Sequence, residues 1–311
     1  MRIFVTGASG WIGSAVVPEL IGAGHQVVGL ARSDASAAAL TAAGAEVHLG
    51  SLDDLDSLRN AAAASDGVIH LAYRHDLSFS GDFYGAAVAD RSAIEVFGEA
   101  LDGSDRPFVI ASGTLGLAPG RVATEQDMPN LDPAATSLSG GHETRAANAA
   151  MTLSLASRGV RSSVLRLPPS NHGEGDNGFM AMLVGIAREK GVSGYIGDGT
   201  SRWPAVHRLD SAQLFRLALE TAPAGSVLHA VADGGVPIRA IAEVIGRHLD
   251  LPVLSISPDD AGEHFGFLAG LLVMDSPASG ALTREMLGWQ PTHPGLLDDL
   301  AQGHYFHNPS A

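Results

Sequence analysis

The chain has 311 residues, of which 45% are hydrophobic and only 17% charged. The charged share is below the roughly 25% usual in globular chains, so there is apolar material for a sizeable core and wholesale disorder is excluded. Its 34 acidic residues outnumber 19 basic ones, for a net charge of −15, which argues against nucleic acid or an anionic membrane as partner.

There is no cysteine, which removes disulfide frameworks, thiolate metal sites and cysteine nucleophiles and fits a reducing cytoplasm. The amino terminus passes directly into Ile3-Phe4-Val5 and a glycine-rich turn, with no targeting segment. The longest apolar run, Phe265 to Met274, has ten residues, against the ~18–20 needed to span a bilayer. A soluble, cytoplasmic protein is the expectation.

In chain order, Arg2–Val5 is a short apolar run, followed by helical spacing over Trp11–Ala23. Strands are expected at Gln26–Ala31, Glu46–Leu49, Gly67–Ala72, Pro107–Ser112 and Ser162–Leu167. The helices between them are expected at Ser36–Ala43, Leu55–Ala64, Gly85–Leu101 and Arg145–Ser157. Apolar strands without polar alternation, separated by helices, predict a parallel sheet covered on both faces, the doubly wound α/β (Rossmann) architecture.

Pro168-Pro169 breaks this rhythm, so a dinucleotide-binding domain over 1–168 is expected to carry a smaller substrate lobe over 169–311, with segments returning to the first domain. Ser170–Asn177 reads as a loop, Phe179–Lys190 as a helix and Gly191–Pro204 as a glycine-rich stretch. Asp210–Glu220 and Ile238–Leu249 read as helices, Val227–Val231 as a strand, and a last helix lies near 295–303. The cleft between the two parts is the default ligand site.

Thr6-Gly7-Ala8-Ser9-Gly10-Trp11-Ile12-Gly13 joins the first strand to the first helix. Gly7 permits the tight turn, Gly10 lets backbone approach a diphosphate and Gly13 allows close helix–strand packing. The position after a strand and before a helix makes the glycine trio a nucleotide signal. Leu30-Ala31-Arg32-Ser33 ends the second strand with no acid before Asp34. A carboxylate there would hold the ribose hydroxyls of NAD, whereas Arg32 and Ser33 suit the 2′-phosphate of NADP. NADP is the expected cofactor, with NAD the alternative.

With this turn, the chain resembles the extended short-chain dehydrogenase/reductase superfamily, in its NAD-dependent epimerase/dehydratase branch. The resemblance continues through Leu49-Gly50-Ser51-Leu52-Asp53, Ile69-His70-Leu71-Ala72, Ala111-Ser112-Gly113-Thr114, Leu165-Arg166-Leu167-Pro168-Pro169, Val206-His207-Arg208-Leu209-Asp210 and Leu287-Gly288-Trp289-Gln290-Pro291. It implies that Ser51 and Leu52 lie near adenine, that Leu71 and Ala72 line the cofactor groove, and that Pro168 lies near the nicotinamide. It also implies a homodimer through helices 85–101 and 145–157.

The family's usual Tyr-x-x-x-Lys pair is absent: the one lysine is Lys190, and Ile186 stands four residues before it. Counting back from Ser157-Arg158-Gly159 puts Arg145 near the lysine position and Gly141 or His142 near the tyrosine position. Either Arg145 keeps the electrostatic role while Tyr73, His75, Tyr84, His142 or His172 moves the proton, or no strong acid is used. By the resemblance, Ser112 and Thr114 are placed to hydrogen-bond the reacting oxygen.

Arg202, Trp203 and His207 are either an anion clamp with an aromatic wall or, with Asp210, structural. His304-x-x-His307 lacks neighbouring acids, and no metal site is expected. The reading is an NADP-dependent oxidoreductase acting on a small organic substrate. The alternatives are an epimerase-like enzyme and an inactive cofactor-binding sensor.

Overall fold

The computed structural model describes residues 1–128 and 141–307. The first elements are β1 (Arg2–Thr6), α1 (Gly13–Gly22), β2 (Gln26–Ala31), α2 (Asp34–Ala42), β3 (Glu46–Leu49), α3 (Leu55–Ala63) and β4 (Gly67–His70). They are followed by α4 (His75–Phe79), α5 (Phe83–Ala100), β5 (Pro107–Gly113), α6 (Gly141–Ser154) and β6 (Arg161–Leu167). Next come β7 (Ser170–His172), α7 (Phe179–Lys190), β8 (Ser193–Ile196), β9 (Arg202–His207), α8 (Arg208–Thr221) and β10 (Ser226–His229). The series ends with β11 (Asp233–Pro237), α9 (Ile238–Leu249) and β12 (Val253–Ile256), then short helices at Ala261–Phe265, Leu268–Leu272, Ala281–Leu287 and Leu296–Ala301.

Seven strands form one sheet in the order β10-β6-β5-β4-β1-β2-β3, and every pairing in it is parallel. Successive side chains of a strand point to opposite faces, and here both faces are covered. Phe4, Val68, Phe108 and Val164 pack with Leu58 of α3 and Phe97 of α5. Ile3, Val5 and Leu165 pack with Leu20 of α1 and Phe215 of α8. The chain turns in opposite directions from β1 to β2 and from β3 to β4, so a crevice opens at the carboxyl ends of β1 and β4. That switch point is where doubly wound sheets hold ligands.

The remaining strands build a three-stranded sheet, β11-β9-β7, and a two-stranded one, β12-β8. Met180, Leu183, Trp203, Ile241, Phe265 and Leu300 form the core of this lobe. The chain leaves the large sheet after Leu167 and returns to it with α8 and β10. Near its end, Trp289 is fully buried in the α1–α8 layer, its indole N–H donating to the Asp210 carbonyl at 3.1 Å.

Two stretches differ from the sequence expectation. The loop expected over 170–177 begins with β7, and the glycine-rich stretch over 191–204 holds β8 and the start of β9. β7 reads Ser-Asn-His and has no apolar alternation. It is a strand because it pairs in parallel with β9, Ser170 beside Ala205 and His172 beside His207. No helix of the described residues is long and apolar enough to cross a membrane.

Candidate functional site

The glycine turn sits at the switch point. Gly7 has φ +66°, and a Cβ there would lie 2.6 Å from the Ala72 nitrogen, so a side chain would collide with the backbone that follows β4. A Cβ on Gly13 would fall 2.1 Å from the Gly7 carbonyl oxygen. Glycine at these positions lets the turn fold against α1 and against β4 at once.

No side chain caps α1, and its first turn carries no acid. Among the described residues, the amides of Trp11 and Ile12 have no acceptor. Bare N–H groups at the positive end of a helix dipole are what a diphosphate requires. They open onto a cleft of about 900 Å³ whose wall includes Gly7, Ser9, Gly10, Trp11, Ile12 and Gly13.

Arg32, Ser33, Ser51 and Leu52 line one end of this cleft, and Leu71, Ala72 and Tyr73 its middle. Arg32 has no ion-pair partner among the described residues, whereas its neighbour Arg74 is held by Asp53 at 3.0 Å and Asp76 at 2.9 Å. Ser33 is the amino-terminal cap of α2: its hydroxyl accepts the Ser36 amide in a reciprocal capping box. Sequence reasoning missed that prior engagement, although Ser at position 33 with Ser three residues on is the signal for it.

Two expected contact residues are not in the described wall. Thr6 is fully buried; its hydroxyl shares a 2.6 Å hydrogen bond with His70 Nδ1 and accepts the Ala72 amide at 3.2 Å. It therefore fixes the groove from behind. Pro168 is buried, and its neighbour Pro169 lines the cleft instead.

Behind the groove runs a buried polar chain. His70 Nε2 meets Asp90 Oδ1 at 3.1 Å, and Asn148 donates to Asp90 Oδ2 at 2.7 Å. Burial works against the Asp90 charge, yet the His70 hydrogen bond, with help from Arg145 and Asn148, holds the carboxyl below its ordinary value. The Arg145 guanidinium lies 4.4 Å over the Tyr73 ring, and its buried Nε has no acceptor among the described residues. Tyr73 in turn meets the His75 ring edge-on at 5.3 Å. Partial desolvation and the Arg145 charge push the His75 imidazole below its usual value.

Arg145, Tyr73 and His75 are thus brought together beside the cleft. Tyr84 is exposed on α5 and is not in the cleft wall. Ser112 lies near the end of β5 and Thr114 just after it, and neither is in the described wall; Thr114 is buried, its hydroxyl without a partner among the described residues. The side chain of His142 lies outside the described residues.

The lobe closes the cleft through Asn171, Asp176, Asn177, Gly178, Phe179, Met182 and Phe267. Trp11 ties this wall to the glycine turn by donating to the Asn171 carbonyl at 2.8 Å, and Arg208 stacks over its ring at 4.3 Å. His172, one of the candidates to move the proton, is not in the cleft wall. It is fully buried and paired through Nδ1 with Asp299 at 2.9 Å. His207 packs beside it and stacks on His293 at 4.7 Å. Burial, with the neighbouring His172, takes the His207 imidazole down to about 4.

Asp210 accepts the Thr292 and His293 amides, so His207 and Asp210 are structural. The anion-clamp alternative fails: Trp203 is fully buried and Arg202 is spent on Asp275 at 2.8 Å.

The model of the NAD dependent epimerase/dehydratase family matches residues 3–230. The chain belongs to that family. A member from Schizosaccharomyces pombe, described as uncharacterized, is 50% identical over 98% of this chain and 100% of its own length. A ketoreductase of a farnesylated dihydroquinoline oxide from Stigmatella aurantiaca is 27% identical over 77% of this chain and 71% of its own. Among solved structures, dTDP-glucose 4,6-dehydratase from Streptomyces venezuelae with NAD has a TM-score of 0.75 at 19% identity, covering 98% of this chain and 96% of that one. At that identity the structural likeness speaks for the fold.

Proposed function

We propose that this family member is an NADP-dependent oxidoreductase that interconverts a small carbonyl compound and its alcohol. The observation that carries the reading is the uncapped amino end of α1 opening into a cleft shared with the lobe. The residues present suit a nicotinamide dinucleotide: the Trp11 and Ile12 amides for its diphosphate, the unpaired Arg32 for a 2′-phosphate, and Leu71 and Ala72 along its length. That cofactor, when bound, exchanges a hydride with the substrate carbon. The Stigmatella relative, named as a ketoreductase, is consistent with this chemistry.

The proton is assigned to Tyr73. Tyr73 presents a phenol in the cleft wall, a group able to hand a proton to a reacting oxygen. The guanidinium of Arg145 over its ring stabilises negative charge developing on the phenol oxygen. This arrangement divides the work of the missing Tyr-x-x-x-Lys pair between β4's exit and α6. Arg145 cannot give up a proton at any ordinary pH, so it positions and stabilises only. The same reading keeps the homodimer through α5 and α6 as a proposal, which sedimentation across a dilution series tests.

The direct test is NADPH consumption with a panel of aldehydes and ketones, run on the native chain and on Tyr73→Phe. The expected result is turnover by the native chain and a fall of about 10²–10⁴-fold in kcat for the variant, the usual worth of a positioned general acid. Cofactor binding without turnover of any substrate would leave the sensor alternative standing.

A further inference from the structure

We propose that the lobe half of the cleft selects an uncharged, apolar carbonyl compound and rejects nucleotide sugars and other anions. This rests on the oxidoreductase reading above and sets its substrate class.

The lobe gives this wall the apolar side chains of Phe179 and Met182 of α7 and of Phe267, beside the uncharged Asn171 and Asn177 and the acid Asp176. No basic side chain of the lobe joins them among the described residues. Arg188 donates to the Phe306 carbonyl, Arg202 pairs with Asp275, Arg239 with Glu243, and Arg208 lies on Trp11. Residues 129–144 contain no lysine or arginine.

Just before α7 the chain sets an acid of its own in the cleft wall, Asp176. Asp176 Oδ1 accepts the Gly178 amide at 2.7 Å, and Oδ2 accepts the Tyr305 hydroxyl at 2.8 Å. Burial raises that carboxyl above its ordinary range, the response of an acid in surroundings that disfavour negative charge. A diphosphate or carboxylate entering this half would be desolvated without a cation and would face Asp176. An apolar group would instead cover Phe179, Met182 and Phe267.

The test uses three probes on the NADPH-loaded protein: ethyl benzoylformate, benzoylformate and UDP-glucose. The first two share a carbonyl and differ by one charge. Binding is read from nicotinamide fluorescence, and turnover from NADPH absorbance. The ester is expected to bind and to exceed benzoylformate by at least about tenfold in kcat/KM, with no binding of UDP-glucose. Binding of UDP-glucose or benzoylformate as tight as that of the ester would overturn the proposal, as would failure of the ester to bind. Ester binding without reduction would uphold the selectivity and sink the hydride-transfer reading instead. Met182→Arg is expected to narrow the ester preference at least about tenfold with NADPH affinity unchanged; an unchanged preference would contradict the placement of α7.

Discussion

Replacing Arg32 by Ser tests the cofactor assignment at one atom group. Arg32 stands at the end of β2 in the cleft wall and has no ion-pair partner among the described residues. The other arginine of this corner, Arg74, is committed to Asp53 and Asp76 and is poorly placed to take over. Hydrogen bonds to a charged partner contribute about 1.5–3 kcal/mol, and 1.36 kcal/mol is one decade. NADPH affinity is therefore expected to fall about 10- to 150-fold. NADH lacks the 2′-phosphate and loses nothing from that contact, so its affinity is expected to stay within about twofold by the same reasoning. Tryptophan quenching with both coenzymes, at low salt where the charge is least screened, gives the ratio. Equal losses for NADPH and NADH, or no loss for either, would refute the role given to Arg32.

Gly13→Ala would place a methyl 2.1 Å from the Gly7 carbonyl oxygen, backbone that cannot turn aside. A stability loss of about 1–3 kcal/mol with loss of coenzyme binding is expected, read by thermal melting and titration; a variant that melts and binds like the native chain would contradict the packing. Arg145→Lys keeps a charge but not the planar stack on Tyr73, and a fall in kcat with little change in KM is expected. A change confined to KM would place Arg145 outside the chemistry.

His207 is neutral when folded down to about 4, while a free histidine takes its proton near 6.5. The unfolded chain then binds more protons between these values, so stability rises with pH there and is lost on acidification from 6.5 towards 4. The loss is bounded at about 3 kcal/mol, and His207→Asn is expected to flatten it in urea melts taken at several pH values. An equal slope in the variant would assign the acid sensitivity elsewhere.

The first half of the fold was legible because its strands are buried on both faces and carry uninterrupted apolar residues, as Ile3-Phe4-Val5 does. Boundaries moved where tertiary contacts intervene. The helix expected from Trp11 starts at Gly13, because Trp11 turns away to reach Asn171. The strand expected to Ala72 ends at His70, where Leu71 and Ala72 leave the sheet to face the cleft. In the lobe, β7 and β8 carry little local pattern and exist through their partners β9 and β12.

The cofactor end of the site was readable from glycine spacing, since backbone geometry demands those residues. The proton-moving end was not. Tyr73 and Arg145 are 72 positions apart in the sequence, and only the packing of α6 beside β4's exit joins them. His172 and Asp299 are joined across a still longer span, so the burial of His172 left no mark in its own neighbourhood. Asp176 passed unremarked within an acidic, glycine-rich segment, although an Asp side chain that bonds the amide two residues on, as it does at Gly178, is a common turn arrangement.

The central claim is that α1 offers its unpartnered amides to a dinucleotide, and calorimetric titration of the purified, folded chain with NADPH and NADH tests it most directly. The account predicts exothermic one-site binding of NADPH with a Kd on the order of micromolar or below, and weaker binding of NADH. Absence of heat and of affinity for both coenzymes would contradict it.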